Sequence, residues 1–111
     1  MDSLAQQQSI QDGLVALVSN GSIGLRCGPV GVPNHRPIPL LALRLKTSPS
    51  RIVSAQVRSI TRGTYIDPAT DSVRSSYTLD PHDPHPLLAS VPPGFALAHQ
   101  DRYWRVFERC R

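Results

Sequence analysis

The stretch SPSRIVSAQVRSI, from Ser48 to Ile60, fits two secondary structures. A helix would place four apolar side chains on roughly one face: Ile52, Val53, Val57 and Ile60. A strand would place Val53, Ala55 and Val57 on one side. Ser48 followed by Pro49 is a plausible helix start, but the four apolar residues are β-branched and favour a strand. We predict that this segment is a strand in the intact protein.

The proline content argues for a β-rich fold around this segment. The chain has 111 residues, of which 11 are proline, about twice the average share. Most intervals between the prolines are too short for a long helix, which favours short strands and loops over a helical bundle. We predict a flexible N-terminal segment over residues 1–12 and a single β-rich domain over 13–111.

Several strands can be placed from alternation and turn signals. Asn20-Gly21 is a strong hairpin signal, which predicts two strands within GLVALVSNGSIGLRC (13–27). IPLLALRL (38–45) is almost continuously apolar and is predicted as a strand. SVRSSYTL (72–79) alternates cleanly, and short strands are expected on either side of the turn at Pro92-Pro93-Gly94. The predicted class is mostly β, a short-stranded sheet or sandwich.

The charge of the chain bears on its binding partners, and its cysteine content bears on its cellular compartment. The formal net charge is +4, and eleven of the twelve basic residues are arginine. This balance favours an acidic partner, either nucleic acid or an anionic lipid surface. The N-terminus lacks the pattern of a signal peptide, and no apolar run is long enough for a spanning helix. We therefore expect a reducing intracellular setting in which Cys27 and Cys110 are free thiols.

The sequence offers little catalytic chemistry. It has no nucleophile elbow, phosphate loop, dinucleotide fingerprint or zinc-spaced cysteine pair, so we predict that the protein is not an enzyme. In DPHDPHP (80–86), His82 and His85 could bind zinc together with Asp80 and Asp83. The intervening prolines hold the segment extended and separate the histidines, which favours a solvated linker and no metal site.

The C-terminal RYWRVFERCR (102–111) allows three interpretations. Arginines beside aromatic side chains suit single-stranded nucleic acid, where bases stack on rings, and they equally suit a bilayer headgroup region. The third interpretation is a strand with Trp104 and Val106 inward and the arginines outward.

A chain this small has few residues with which to cover the apolar faces of its predicted aliphatic strands. One solution is an intertwined homodimer, and a gap between two aliphatic sheets would form a dry apolar cavity suited to an acyl chain. We therefore expect a bound lipid or fatty acid and no other cofactor. The predicted lining residues are Leu14, Val18, Leu41, Leu43, Leu45, Val53, Val57 and Phe95.

The segment RPIPLLALRLKTSPSRIVSAQVRSI (36–60) resembles the middle of accessory protein 9b of SARS-type betacoronaviruses, which is made from an alternative frame within the nucleocapsid gene. The shared core is Pro37, Ile38, Leu43, Arg44 and Leu45, and VPPGFALAH (91–99) resembles the closing strand of that family. The initial MD and GLVALV (13–18) also fit. The 80–90 stretch and the tail after His99 have no counterpart in the family.

The resemblance implies an intertwined, lipid-holding homodimer associated with mitochondrial or other intracellular membranes of a host cell, with the virion as an alternative location. It also implies that residues 45–65 bind as a helix to a mitochondrial import receptor and blunt innate immune signalling. That helix would present Ile52, Val53, Val57 and Ile60. The alternatives are a small basic nucleic-acid-binding β-domain, which is less favoured, and a structural or assembly protein.

Overall fold

The computed structural model describes residues 3–33, 37–55, 57, 60–70, 73 and 91–110, with only the backbone for 3–7. In chain order the elements are α1 (Ser3–Ser19), β1 (Val30–Val32), α2 (Ile38–Leu45), a 3-10 turn η1 (Pro49–Arg51), β2 (Ile52–Ser54), β3 (Gly63–Pro68), β4 (Ala96–Gln100) and β5 (Trp104–Arg109). A sheet of five strands with two helices thus accounts for the described residues, and the predicted β-rich character is confirmed.

The sheet is mixed, with strand order β2-β1-β3-β5-β4. The central strand β3 lies parallel to β1 and antiparallel to β5, and β2 joins β1 in parallel. The edge strand β4 is antiparallel to β5, with a register shift between Leu97 and His99. The chain reverses between these two strands at Asp101, whose carboxylate accepts hydrogen bonds from the backbone N–H groups of Tyr103 and Trp104.

The larger core lies on the face of the sheet that α1 and α2 cover, which we call the helix-side face. Trp104 is fully buried there, and its indole N–H donates a 3.0 Å hydrogen bond to the carbonyl of Ile10 in α1. This bond gives the one polar atom of a large buried ring a partner. The remaining buried members of this core are Leu14, Leu17, Ile23, Val30, Val32, Leu41, Ala42, Ile52, Ile66, Val73 and Val106.

The opposite face of the sheet carries a smaller core of Val53, Ile60 and Tyr65. Gly31 lies between Val53 and Tyr65 in register, on the central part of the sheet. A Cβ atom at Gly31 would come within 2.7 Å of Ile60 Cδ1 and 2.8 Å of Tyr65 Cδ2. The glycine therefore makes room for the segment after β2 to pack across this face.

The predicted hairpin over 13–27 is wrong. Residues up to Ser19 belong to α1, and Gly21, with a φ of 85°, follows the end of that helix. The apolar residues Ile10, Leu14 and Leu17 recur at helical spacing and are all buried. The Asn-Gly pair therefore marks a helix end, where positive φ is equally common. Helix α1 also runs through the boundary predicted at residue 12.

The predicted strand over 38–45 is also wrong, because this segment is helix α2. Pro39 lies in the first turn, where its missing N–H breaks no helical hydrogen bond. Lys46 ends the helix in the left-handed conformation, with a φ of 55°. The residues that face the core recur at helical spacing: Ile38, Leu41, Ala42 and Leu45.

The segment Ser48–Ile60 forms a strand at only two of its four β-branched residues, Ile52 and Val53. Ser48 and Pro49 begin only the single turn η1, in which the Ser48 side chain accepts a hydrogen bond from the N–H of Ser50. Strand β2 follows directly over Ile52–Ser54, and the chain then turns away at Ala55. The strand prediction is confirmed for Ile52–Ser54 and is wrong for Pro49–Arg51, Ala55 and Val57, which lie in turns.

The remaining predictions concern the C-terminal part of the chain. Strand β5 buries Trp104 and Val106, as the strand interpretation of the tail predicted, and β4 follows the turn at Gly94. Of the strand predicted over 72–79, only Val73 is described; it is buried but helical, so the strand prediction is wrong at this residue. The His/Asp/Pro segment 80–86 lies outside the described residues.

The expectation of free thiols is wrong. Cys27, in the loop after α1, forms a disulfide with Cys110, just beyond β5, and the two Cα atoms are 4.6 Å apart. Because 83 residues separate the two cysteines, the disulfide could not be inferred from local spacing. In the part of the chain described here, neither helix has the length and apolar character needed to cross a bilayer.

Candidate functional site

Charge is unevenly distributed along the chain. Between Gly13 and Ile66 there are seven arginine or lysine residues and neither an aspartate nor a glutamate. All eight acidic residues lie outside this range, together with the other five arginines. The acid-free range contains α2, η1, β2 and β1, and it therefore gives the β2 side of the sheet a positive character.

Three cations from this range are exposed within a short distance along the chain. Arg44 lies in the last turn of α2, Lys46 follows that helix, and Arg51 ends η1. Helix α2 packs against both η1 and β2, so all three cations lie at the β2 edge of the sheet. None of the described carboxylates forms an ion pair with them, whereas Arg26 and Arg105 are each paired with a carboxylate.

Two large apolar side chains are exposed in the same part of the chain, one on α2 and one after β2. Leu43 in α2 is 70% exposed, and Val57, in the turn after β2, is 83% exposed. Among the described residues the third exposed large apolar side chain is Leu97, on β4 at the other edge. We call Leu43, Arg44, Lys46, Arg51 and Val57 together the basic edge.

The structure distributes the predicted lipid-lining residues over three environments. The helix-side core contains Leu14 and Leu41, with Val18 and Leu45 packed against it. The opposite face holds Val53, with Phe95 packed against it. The surface holds Leu43 and Val57. Within this single chain the eight residues therefore do not line one common space, and the shared cavity in a dimer stays a prediction.

The predicted partner-binding residues are also divided. Ile52 belongs to the helix-side core, whereas Val53 and Ile60 belong to the opposite face. Of the four, only Val57 is exposed. A helix that presents all four to a partner would require β2 to leave the sheet, so receptor binding by this segment stays a prediction that involves local unfolding.

The aromatic residues of the tail provide little surface for stacking. Trp104 is fully buried, and Phe107 packs against the smaller core. Tyr103 packs against the helix-side core, with the Arg102 guanidinium 5.6 Å from its ring centroid. A stacking platform for bases needs exposed rings, and the indole in particular is unable to serve as one.

The basic edge was missed by reasoning from the sequence, although one signal for it was present. Arginines spread singly over 54 residues do not form a visible basic run, but the complete lack of acidic residues between Asp12 and Asp67 is evident by counting. The exposure of Leu43 and Val57 depends on the helix and the turn in which they lie, whereas the sequence predicts a strand for both segments.

No protein-family model, curated protein or solved structure matches this chain significantly. The resemblance to betacoronavirus accessory protein 9b therefore stays a hypothesis that depends on the residues quoted for it.

Proposed function

We propose that the protein is a non-enzymatic peripheral membrane-binding protein that attaches to anionic lipid surfaces through the basic edge. The observation that carries the proposal is that the adjoining elements α2, η1 and β2, with the turn after β2, expose Leu43, Val57 and three cations that no described carboxylate pairs with. Apolar side chains that enter the headgroup boundary, with cations that meet anionic headgroups, are the two components of interfacial binding.

The expected free energy of membrane binding is modest. Each arginine or lysine near an anionic leaflet contributes about 1 kcal/mol, so the three cations contribute about 3 kcal/mol. Burial of one leucine side chain adds at most about 1.5–3 kcal/mol. The sum corresponds to weak, reversible and salt-dependent attachment, since surface electrostatics are screened at higher ionic strength.

The apolar component favours membrane over nucleic acid. Nucleic-acid sites combine cations with exposed aromatic rings, whereas the basic edge combines them with aliphatic side chains. The resemblance to accessory protein 9b supports the same choice, and it extends the proposal to a viral host-interaction protein at mitochondrial or other intracellular membranes that blunts innate immune signalling.

A second copy is the partner we propose for the other edge. Strand β4 is exposed along its whole length from Ala96 to Gln100, and it contains no proline or carboxylate that would discourage pairing. Within the described residues, β4 pairs only with β5. The predicted homodimer would then form by edge pairing, and light scattering on the purified protein tests it, because a mass equal to one chain would contradict it.

Vesicle sedimentation tests the membrane proposal. We expect the protein to sediment with phosphatidylcholine vesicles that contain phosphatidylserine, and far less with phosphatidylcholine alone. Arg44→Gln or Arg51→Gln should each weaken binding about fivefold, for a loss of about 1 kcal/mol. The matched control is Arg102→Gln, which removes the same charge from an exposed arginine in the β4–β5 turn. Equal loss in the control would refute the basic edge as the site.

The Leu43→Ser variant distinguishes an anionic lipid surface from nucleic acid as the partner. This side chain is already 70% exposed, so its replacement should leave folding unchanged. Weaker vesicle binding by this variant supports interfacial insertion. If Leu43→Ser has no effect, and a single-stranded oligonucleotide binds with a steep salt dependence that Arg44→Gln reduces, the protein is a nucleic-acid-binding domain and the membrane proposal is wrong.

A further inference from the structure

A second group of chemically active side chains lies near the C-terminal end of β5. One ligand atom each from Cys27, Glu108 and Cys110 lies within 4.8 Å of the other two. Cys27 comes from the loop after α1, Glu108 from β5, and Cys110 follows that strand. Two sulfur atoms and a carboxylate at this spacing are a donor set that zinc accepts.

The disulfide determines whether this set is available. A disulfide sulfur atom is a poor ligand, whereas a thiolate binds zinc strongly. Cys110 lies one residue beyond the last ladder pair, Gly63 with Arg109, and it is exposed. After reduction it is therefore free to move away from Cys27 without breaking any pairing of the sheet.

Arg26 is a competitor for the same carboxylate. Its guanidinium donates to Glu108 and also, at 3.0 Å, to the carbonyl of Gly21. Zinc binding would have to displace this ion pair or share the carboxylate with it. Since the Arg26 side chain is 49% exposed, the ion pair is weak and its loss costs little.

We propose that Cys27, Cys110 and Glu108 form a redox-controlled site for a divalent zinc-type cation. Under oxidising conditions the two cysteines are joined, and the site is closed. A dithiol reductant transfers two electrons and two protons to the disulfide, and is itself oxidised to a disulfide, leaving two thiols. The cation then binds both sulfur atoms and the Glu108 carboxylate, and two protons are released.

The site would hold metal less tightly than a four-cysteine structural site. It supplies three protein ligands, which leaves one position of a tetrahedral ion for water or another molecule. The competing arginine lowers the affinity further. The geometry therefore points to a regulatory exchange between a covalent link and a metal link that joins the same two parts of the chain.

Cobalt titration of the full-length protein tests the proposal. We expect the reduced protein to bind one equivalent of Co²⁺ with a sulfur-to-cobalt charge-transfer band, and the oxidised protein to give no such band. Glu108→Gln should weaken Co²⁺ binding at least about tenfold. Arg26→Gln should strengthen it about fivefold, because one exposed ion pair no longer competes. Asp12→Asn, which removes a distant exposed carboxylate, is the control.

Each outcome decides the proposal. No charge-transfer band in the reduced protein, or equal affinity in Glu108→Gln and Asp12→Asn, would overturn it. Circular dichroism addresses the case in which the reduced protein unfolds: recovery of structure on addition of Zn²⁺ supports the site, and failure to recover with excess Zn²⁺ overturns it. Neither result affects the membrane proposal, which is tested with the oxidised protein.

Discussion

Gly31→Ala tests the account of the smaller core. The new Cβ would lie 2.7 Å from Ile60 Cδ1 and 2.8 Å from Tyr65 Cδ2, both closer than carbon atoms approach without displacement. Overpacking of this kind costs about 1–3 kcal/mol. The reduced freedom of the unfolded alanine chain offsets about 0.4–1 kcal/mol. We expect the free energy of unfolding to fall by about 1–2 kcal/mol.

The assay is urea unfolding followed through the fluorescence of Trp104, the single tryptophan. The control is Gly24→Ala, whose Cβ would meet only the terminal nitrogen of the exposed Arg26 side chain, at 3.2 Å. Since that side chain is 49% exposed and its ion pair with Glu108 is weak, it can shift at little cost, and we expect a change within about 0.5 kcal/mol.

A double variant identifies which contact causes the loss of stability in Gly31→Ala. Ile60→Val removes the Cδ1 atom and alone should cost about 0.5–1.5 kcal/mol. Combined with Gly31→Ala, it should cost less than the sum of the two single changes by about 1 kcal/mol, because the clash with Cδ1 is gone. Strict additivity, or a neutral Gly31→Ala, would refute the packing described for this face.

Four further predictions concern other parts of the fold. Trp104→Phe should lower the free energy of unfolding by about 1–3 kcal/mol, because the indole hydrogen bond to the Ile10 carbonyl is lost and the smaller ring leaves part of the core unfilled; urea unfolding followed by circular dichroism measures it, and an unchanged midpoint would contradict it. Asp67→Asn weakens the 2.7 Å ion pair with Arg105, which is 37% exposed, and should cost about 1 kcal/mol in the same assay. Replacement of both cysteines by serine should cost about 2–4 kcal/mol, so oxidised and reduced wild-type protein must unfold at different urea concentrations. A synthetic 45–65 peptide should be coil in water and gain helix in trifluoroethanol by circular dichroism, and a peptide that stays coil would remove the basis for a helical bound form.

The sequence predicted two strands of the sheet, one from propensity and one from alternation. In β2 the β-branched residues Ile52 and Val53 favour strand, and the chain forms one. In β5, Trp104 and Val106 alternate with arginines, and both are buried as predicted. Strand β2 is buried on both faces and shows no alternation, whereas in β5 the buried face of the sheet sets the pattern.

The errors occurred where leucine, alanine and valine satisfy two periods at once. In α1, Leu14, Ala16 and Val18 alternate as a strand would, but Ile10 and Leu17 extend the helical pattern that the core uses. In α2, the almost continuous apolar run predicts a strand as readily as a helix, and Pro39 is acceptable in the first turn of a helix. Tertiary packing decided both cases.

The candidate sites depend on contacts that short-range patterns do not contain. The basic edge combines the exposure of Leu43, on a helix, with that of Val57, in a turn. The zinc-type site brings Cys27 beside Cys110 through the pairing of β3 with β5 and the path of the loop after α1. A count of acidic residues would have found the positive charge of the first, but only the folded topology reveals its exposed apolar residues and the second site.

The disulfide also determines how the molecule would carry mechanical tension. A pull on the two chain ends would pass from residue 27 to residue 110 through the covalent link. All five strands and α2 lie inside the closed loop and would bear no load. Only residues 1–27 and the last two residues would extend, to about 100 Å instead of nearly 400 Å for the whole chain. Reduction would therefore convert a short, shielded tether into one whose sheet unfolds under force.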